Sequence, residues 1–236
     1  MSSVAAIVPA FNESANIRSV VEELKELPDP PDIVVIDDGS HDSTAELARS
    51  AGAWVVRMPF NTGIGAAVQT GIRLALDRGY DHIVRIDGDA QHDARDIPRL
   101  LERLKDGQAD FVLGSRYLER AGFQATALHR AGIRWFSFLL RVLCGLRVTD
   151  PTSGFWAASR RAAGILMAEY SSDYPEVDSL VHLSRQGCSV RELPVVMRPR
   201  AGGHSSIQGT RTLYYMVKVT IALLTARLRQ GGGTED

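Results

Sequence analysis

Two carboxylates separated by a single glycine, Asp87-Gly88-Asp89, are the stretch of this chain best equipped for chemistry. They follow His82-Ile83-Val84, which reads as a buried strand, and precede Asp93 to Lys105, which reads as a helix. Acids at the C-terminal end of a parallel strand stand where open α/β sheets bind ligands. Gly88 is expected to let the backbone turn, so that both carboxylates converge instead of pointing to opposite faces. Hard oxygen donors gathered this way suit Mg²⁺ or Mn²⁺ held jointly by protein and a diphosphate. The competing reading is a solvated Asp-Gly turn.

The elements that would position these acids alternate. Val4 to Pro9 reads as a first buried strand, followed by the loop Ala10-Phe11-Asn12-Glu13 and a helix from Ser14, as cap, to about Leu27. Pro28, Pro30 and Pro31 end that helix. Ile33-Val34-Val35-Ile36 is uniformly β-branched, as a strand covered on both faces should be. It runs into Asp37-Asp38-Gly39-Ser40 and then a helix through Ser50. Trp54-Val55-Val56 reads as a third strand, and Asn61-Thr62-Gly63-Ile64-Gly65 opens another helix. The pattern repeats at Ile83 and at Phe111-Val112-Leu113. This predicts an α/β fold: a Rossmann-like, mostly parallel sheet with helices on both faces. The second and fourth strands both end in acidic pairs, which points to a nucleotide bound across the carboxyl edge. No Gly-x-Gly-x-x-Gly follows the first strand and no Walker pattern occurs, so the nicotinamide and P-loop readings lose ground.

The net charge of −1 hides an asymmetry. Residues 1–113 carry 11 Lys and Arg against 19 Asp and Glu, and residues 114–236 carry 16 against 9. The basic excess coincides with apolar segments; a solvated basic face is the usual explanation, and a surface meeting phosphates or anionic lipid is the sharper one. Neither a recognised motif nor a row of stacking aromatics supports nucleic acid as partner. Cys144 and Cys188 are too few for a disulfide framework or zinc cluster. No run of 18 uncharged residues and no secretory pattern is visible, so a cytoplasmic location is expected. Trp135 to Cys144 is apolar on nearly all sides, with Arg130, Arg134, Arg141 and Arg147 around it. Such a helix is either core or lies in a membrane interface with its arginines reaching phosphates.

Pro9-Ala10-Phe11-Asn12-Glu13, Asp37-Asp38-Gly39-Ser40, Asn61 with Gly63 and Gly65, Asp87 to His92, and Gly114-Ser115-Arg116 occur in an order that resembles glycosyltransferase family 2. Asp150-Pro151-Thr152-Ser153-Gly154-Phe155 looks like the branch typified by dolichol-phosphate mannose synthase and its bacterial polyprenyl-phosphate relatives. The resemblance spans roughly residues 4–207. It implies a GT-A fold over 1–206, with a nucleotide-sugar-binding half (1–113) and an acceptor-binding half (114–206). Residues 207–236 would form a C-terminal amphipathic helix and a polar tail.

By the same resemblance, Pro9, Phe11 and Glu13 would line the base and ribose, and Asp38 would hydrogen-bond the base. Ser40, Asn61 and Gly65 join that nucleotide-sugar set. Asp89 would bind the divalent ion, with Asp87 and Gln91 assisting. Arg116 and Arg130 would hold phosphate, for which a planar, permanently charged guanidinium is apt. Arg200 and Ser205 belong to a loop expected to close over the diphosphate, although Ser206 stands where dolichol-phosphate mannose synthases often have Lys. Asp178 and Glu176 lie in the region of the catalytic Glu-Asp of polysaccharide-extending members, yet the Gln-x-x-Arg-Trp of those members does not occur.

The expected activity is therefore inverting, metal-dependent transfer from a nucleotide-sugar to a polyprenyl phosphate. The enzyme would be peripheral on the inner membrane face, resting on lipid or on a separate small membrane protein. The alternatives are a hydroxyl acceptor, with Asp178 as base, and a non-catalytic nucleotide-sugar-binding subunit.

Overall fold

The computed structural model describes residues 3–119, 127–169, 175–198 and Thr220. Its strands are β1 (Val4–Ala10), β2 (Asp32–Asp37), β3 (Trp54–Arg57), β4 (His82–Arg85), β5 (Phe111–Ser115), β6 (Trp156–Ser159) and β7 (Val190–Pro194). They form one sheet of order β3-β2-β1-β4-β6-β5-β7. Every pairing is parallel except those of β6, which runs antiparallel to both β4 and β5. The expected mostly parallel sheet is present, with β6 and β7 added to the five strands legible in the sequence. Because β6 runs against its neighbours, it brings residues 150–155 to the same edge at which β4 and β5 end.

The helices are α1 (Ile17–Lys25), α2 (Thr44–Ser50), α3 (Ile64–Asp77), α4 (Ile97–Lys105), α5 (Ala127–Cys144), α6 (Arg160–Glu169) and α7 (Pro175–Arg185). Alternation along β1 assigns them to two faces. Ala6 and Val8 pack with Ile17, Val20 and Leu24 of α1 and Ile97, Leu100 and Leu104 of α4. Ala5 and Ile7 face Val68 and Ile72 of α3, with Phe136 and Leu140 of α5 and Leu180 of α7 in the same core. Period-two burial on both sides is what a β-branched, uninterrupted apolar strand dictates. Each wholly buried Ile or Leu contributes about 1.5–3 kcal/mol.

Two boundaries differ from expectation. Ser14 does not cap α1: residues 13–16 form a turn in which the Glu13 carbonyl accepts from Asn16 N and Ile17 N, both at 2.9 Å, and the helix starts at Ile17. Ser14 N instead donates to Asp42 Oδ2 at 3.1 Å. The helix expected from Asp93 begins as a short 3₁₀ turn, Ala94–Asp96, with the Asp93 side chain accepting from Arg95 N, and continues as α4. The expected C-terminal helix lies outside the described residues except for Thr220, which is helical. Trp135 Nε1 of α5 donates to Thr220 Oγ1 at 3.0 Å.

Candidate active site

The acidic turn grows directly out of β4. Pairing with β1 continues past the strand, with Ile86 N donating to Ile7 O at 3.2 Å and Gly88 N to Pro9 O at 3.3 Å. Gly88 makes this approach easy: a Cβ there would lie a tight 3.1 Å from Ala10 Cβ and 3.2 Å from Pro9 O. The reversal itself falls at Ala90, whose φ of 58° is left-handed. The expectation that Gly88 makes the turn is thus corrected; the glycine serves close packing and an alanine carries the strain.

Asp87 and Asp89 have different partners. Asp87 Oδ1 accepts from Arg85 Nε at 3.2 Å and Nη2 at 3.1 Å. Asp89 Oδ1 accepts from Gln91 N at 3.1 Å. The Gln91 amide donates to Arg198 O at 3.3 Å, and Arg198 N donates back to Gln91 O at 2.8 Å. The turn is therefore pinned to the segment that follows β7. The Arg198 guanidinium adds ion pairs to Glu23 (2.6 Å) and Asp93 (2.9 Å). His92 is buried and stacked on Phe155, ring centroids 5.0 Å apart. Burial drives its pKa down to about 4, against the opposing pull of Asp87.

On the β1–β2 side the expected nucleoside residues gather at one edge, most of them as internal braces. Pro9 is buried in β1 and pairs with Ile36. The Ser40 hydroxyl accepts from Asn12 N at 2.9 Å, and Asn12 itself takes a φ of 55°. Glu13 N donates to Thr44 Oγ1 at 2.8 Å, while its carboxylate accepts from Asn16 Nδ2 at 2.8 Å. Asp38 is buried and holds the next loop: Oδ1 accepts from Thr62 N (2.8 Å) and Thr62 Oγ1 (2.7 Å), and Oδ2 from Gly63 N (2.8 Å). Gly39, at φ 72°, lies so close to Phe60 that a Cβ would stand 2.6 Å from its carbonyl carbon. Gly65 is buried in the first turn of α3. Phe11 and Asn61 present exposed surface at this edge.

Arg116 follows β5 and is clasped by a carboxylate 34 positions away. Its backbone N and its Nε donate to Asp150 Oδ2 at 3.1 and 2.6 Å, and Nη2 donates to Asp150 Oδ1 at 2.7 Å and Thr152 Oγ1 at 3.0 Å. Burial works against the guanidinium's charge, but the Asp150 hydrogen bonds and charge raise its pKa above the ordinary arginine value. Nη1 points elsewhere, 3.9 Å from Met197 Sδ. Asp150 is fully buried, and Glu192 of β7 fixes its loop by accepting from Thr149 N (2.8 Å) and Asp150 N (2.9 Å). Burial pushes the Glu192 carboxyl above its usual range, and those N–H donors act against it.

Arg130 is exposed on the first turn of α5. Glu176 and Asp178 both sit in the first turn of α7. Glu176 Oε1 accepts from Arg85 Nη1 at 3.0 Å, and Asp178 faces His182 at 3.6 Å. Arg200 and Ser205 lie outside the described residues. The partnerships of Arg85, Asp150, Thr152, Gly154, Glu192 and Arg198 are what the sequence reading missed. One signal was present: an arginine next to the apolar run His82-Ile83-Val84 needs a carboxylate partner if it is buried.

Among the described residues no group of three His, Cys, Asp or Glu is arranged to hold a metal. Two carboxylates on one turn nevertheless fit an ion such as Mg²⁺, which takes one or two protein carboxylates and completes its shell with phosphate oxygens and water.

The family model for Glycosyl transferase family 2 matches residues 5–164. An undecaprenyl-phosphate mannosyltransferase of Micrococcus luteus is 32% identical over 233 residues, covering 95% of this chain and 95% of that protein. A polyprenol monophosphomannose synthase of Mycolicibacterium smegmatis is 29% identical over 237 residues, covering 96% and 89%. Among solved structures, glucosyl-3-phosphoglycerate synthase from Mycobacterium tuberculosis, in complex with Mn²⁺, UDP and glucosyl-3-phosphoglycerate, superposes with a TM-score of 0.71. It is 25% identical and covers 96% of this chain and 80% of that one.

Proposed function

This chain belongs to glycosyl transferase family 2, and we propose that it moves a sugar, with inversion, from a nucleotide-sugar to a polyprenyl phosphate at the cytosolic face of a membrane. The observation that carries the acceptor is the near end-to-end similarity to proteins named for polyprenyl-phosphate mannosyl transfer. The geometry supports the chemistry: an acidic turn after β4 and an immobilised arginine after β5 share the carboxyl edge.

Asp89, with Asp87 and Gln91, would hold Mg²⁺ or Mn²⁺. Bound there, the ion supplies Lewis-acid neutralisation of the leaving nucleoside diphosphate. Phe11 and Asn61 offer the exposed surface against which the nucleoside lies, on a floor that Asp38, Ser40 and Glu13 keep rigid. With Nε and Nη2 of Arg116 held by Asp150, the nitrogen it would turn to a phosphate oxygen is Nη1, whose own contact is the soft Met197 sulfur. Arg130, Arg200 and Ser205 supply further phosphate contacts. A lipid phosphate, with its second pKa near 6, is already ionised at neutral pH and attacks without a general base. Positioning and charge stabilisation are then what the protein contributes.

Residues 1–206 form the catalytic unit in this reading, split near 113. No helix of the described residues is long and apolar enough to cross a membrane. On α5, Trp135, Phe138 and Val142 are 42%, 55% and 54% exposed, with Arg134 and Arg141 exposed beside them. Aromatic and aliphatic groups flanked by arginines suit a phospholipid interface.

The test is transfer of labelled sugar from a panel of nucleotide-sugars into organic-extractable lipid, with polyprenyl phosphate and Mn²⁺ or Mg²⁺. Label should enter the lipid and vanish without metal or with Asp89→Ala. Donor hydrolysis without labelled lipid would refute the acceptor. One observation favours a hydroxyl acceptor instead: with Glu176 bound to Arg85, Asp178 stands beside His182 as a carboxylate suited to a base. In that case Asp178→Asn should cost several orders of magnitude in kcat; under the polyprenyl-phosphate reading it should cost far less.

A further inference from the structure

A guanidinium withdrawn from water must be met by carboxylates, because it stays charged at every accessible pH. Arg85 is 2% exposed, and it is met from both halves of the chain. Nε and Nη2 donate to Asp87 Oδ1 on its own turn, and Nη1 donates to Glu176 Oε1 at the start of α7, 91 positions away. The third wall is Gly154, just before β6. A Cβ there would stand 2.6 Å from Asp87 Oδ2 and 2.9 Å from Arg85 Nη2, so the missing side chain is what admits this arrangement.

We infer that Arg85 is a positioning residue for the transfer reaction, fixing Asp87 by one carboxylate oxygen and tying the acidic turn to α7 through Glu176. The inference rests on reading that turn as the divalent-ion site. It also gives Glu176 a role: it is the second anchor of Arg85 and not the base. One cation shared by two anions leaves Asp87 with negative charge to offer an ion. A fork spent on Asp87 alone would draw more of that charge away. Glu176 therefore sets how strongly Asp87 can serve the ion, and it does so from the acceptor half.

The experiment measures Mn²⁺ binding to the full chain by electron paramagnetic resonance, with GDP and separately with UDP, alongside thermal melts. The variants are Glu176→Gln, Gly154→Ala, Arg85→Lys and the Arg85→Lys/Glu176→Gln pair. Glu176→Gln removes charge without volume, and Gly154→Ala displaces Asp87 without removing charge. Each should weaken Mn²⁺ binding about tenfold, as loss of an outer-shell partner does. The double variant should bind no worse than Arg85→Lys alone, because both changes act through one guanidinium.

Wild-type Mn²⁺ affinity in Glu176→Gln and Gly154→Ala, whatever their melting temperatures, would show that Arg85 only holds the fold together, and would overturn the inference. If Arg85→Lys does not fold, those two variants decide the matter alone. Wild-type protein that binds no Mn²⁺ with either nucleotide would refute the metal site itself and the inference with it. Intact wild-type binding with unaffected variants strikes the inference only.

Discussion

Asp150→Asn isolates one buried charge pair by changing a single oxygen. Asp150 is wholly buried, and the Arg116 side chain it clasps is 14% exposed, so solvent does little to screen the loss. The carboxylate accepts two hydrogen bonds at each oxygen: Arg116 N and Nε at Oδ2, Arg116 Nη2 and Thr152 Oγ1 at Oδ1. An asparagine can keep only one of these faces, and its NH₂ group then opposes donors on the other. Loss of a charge-assisted bond, together with a guanidinium left buried beside a neutral amide, should cost about 3–5 kcal/mol. For a chain of this size the lower figure lowers Tm by roughly 6–12 °C. Urea denaturation of Asp150→Asn, Arg116→Met and the double variant measures it. The double variant should be less damaged than the sum of the singles by about 1–3 kcal/mol. A cost below about 1 kcal/mol with additive singles would mean that the pair is solvated, and that Asp150 does not immobilise Arg116.

Acid should weaken the fold through His92. Its folded pKa is about 4, depressed mainly by burial, so between pH 6.5 and 4 the unfolded chain takes a proton that the folded chain refuses. Stability present above pH 6.5 should fall by up to about 3 kcal/mol as the pH drops through that window. His92→Phe, which keeps the stack on Phe155, should remove this part of the slope in pH-dependent denaturation; an unchanged slope would refute it. Gly39→Ala should destabilise by more than about 2 kcal/mol in urea, since the backbone is left-handed and the added Cβ meets the Phe60 main chain. Ala90→Gly should relieve left-handed strain of about 1–2 kcal/mol at some entropic cost, and so raise stability by about 0.5 kcal/mol. A lowered Tm in Ala90→Gly would show that the turn is not strained.

The five strands read from the sequence announced themselves as apolar, largely β-branched runs, and the helices between them as periodic stripes. β6 did not, because Trp156-Ala157-Ala158-Ser159 is four residues long and has no β-branched member. What makes it a strand is the slot between β4 and β5, a tertiary fact. β7 sets two charged residues side by side, Arg191-Glu192, and ends in Pro194, so neither alternation nor an apolar run marks it; the parallel ladder with β5 makes it a strand. Site residues show the same division. The acidic turn was visible because its members are neighbours. The clasp on Arg116 was not, because Asp150 is 34 positions away and no local pattern links them. The place of Asp38 after a strand is legible, but the hydrogen bonds of its two oxygens to Thr62 and Gly63, 24 and 25 positions on, are not. An acid after a strand signals a bond to be made, and the loop that takes it is chosen by packing.

Arg116 and Asp150 are also the two ends of one detour of the chain, which leaves the sheet edge after β5, passes through α5 and returns before β6. A detour whose ends are locked together behaves as a cassette. Lengthening it raises the closure cost only slowly, by about 0.6 kcal/mol per doubling. Its inner face must stay, because Phe136 and Leu140 of α5 pack in the same core as Phe111 of β5 and Trp156 of β6. The outer face, on which Trp135 and Phe138 are exposed, and the length of the detour can vary while the acidic turn keeps its register. Variation on that face is thereby uncoupled from the turn after β4.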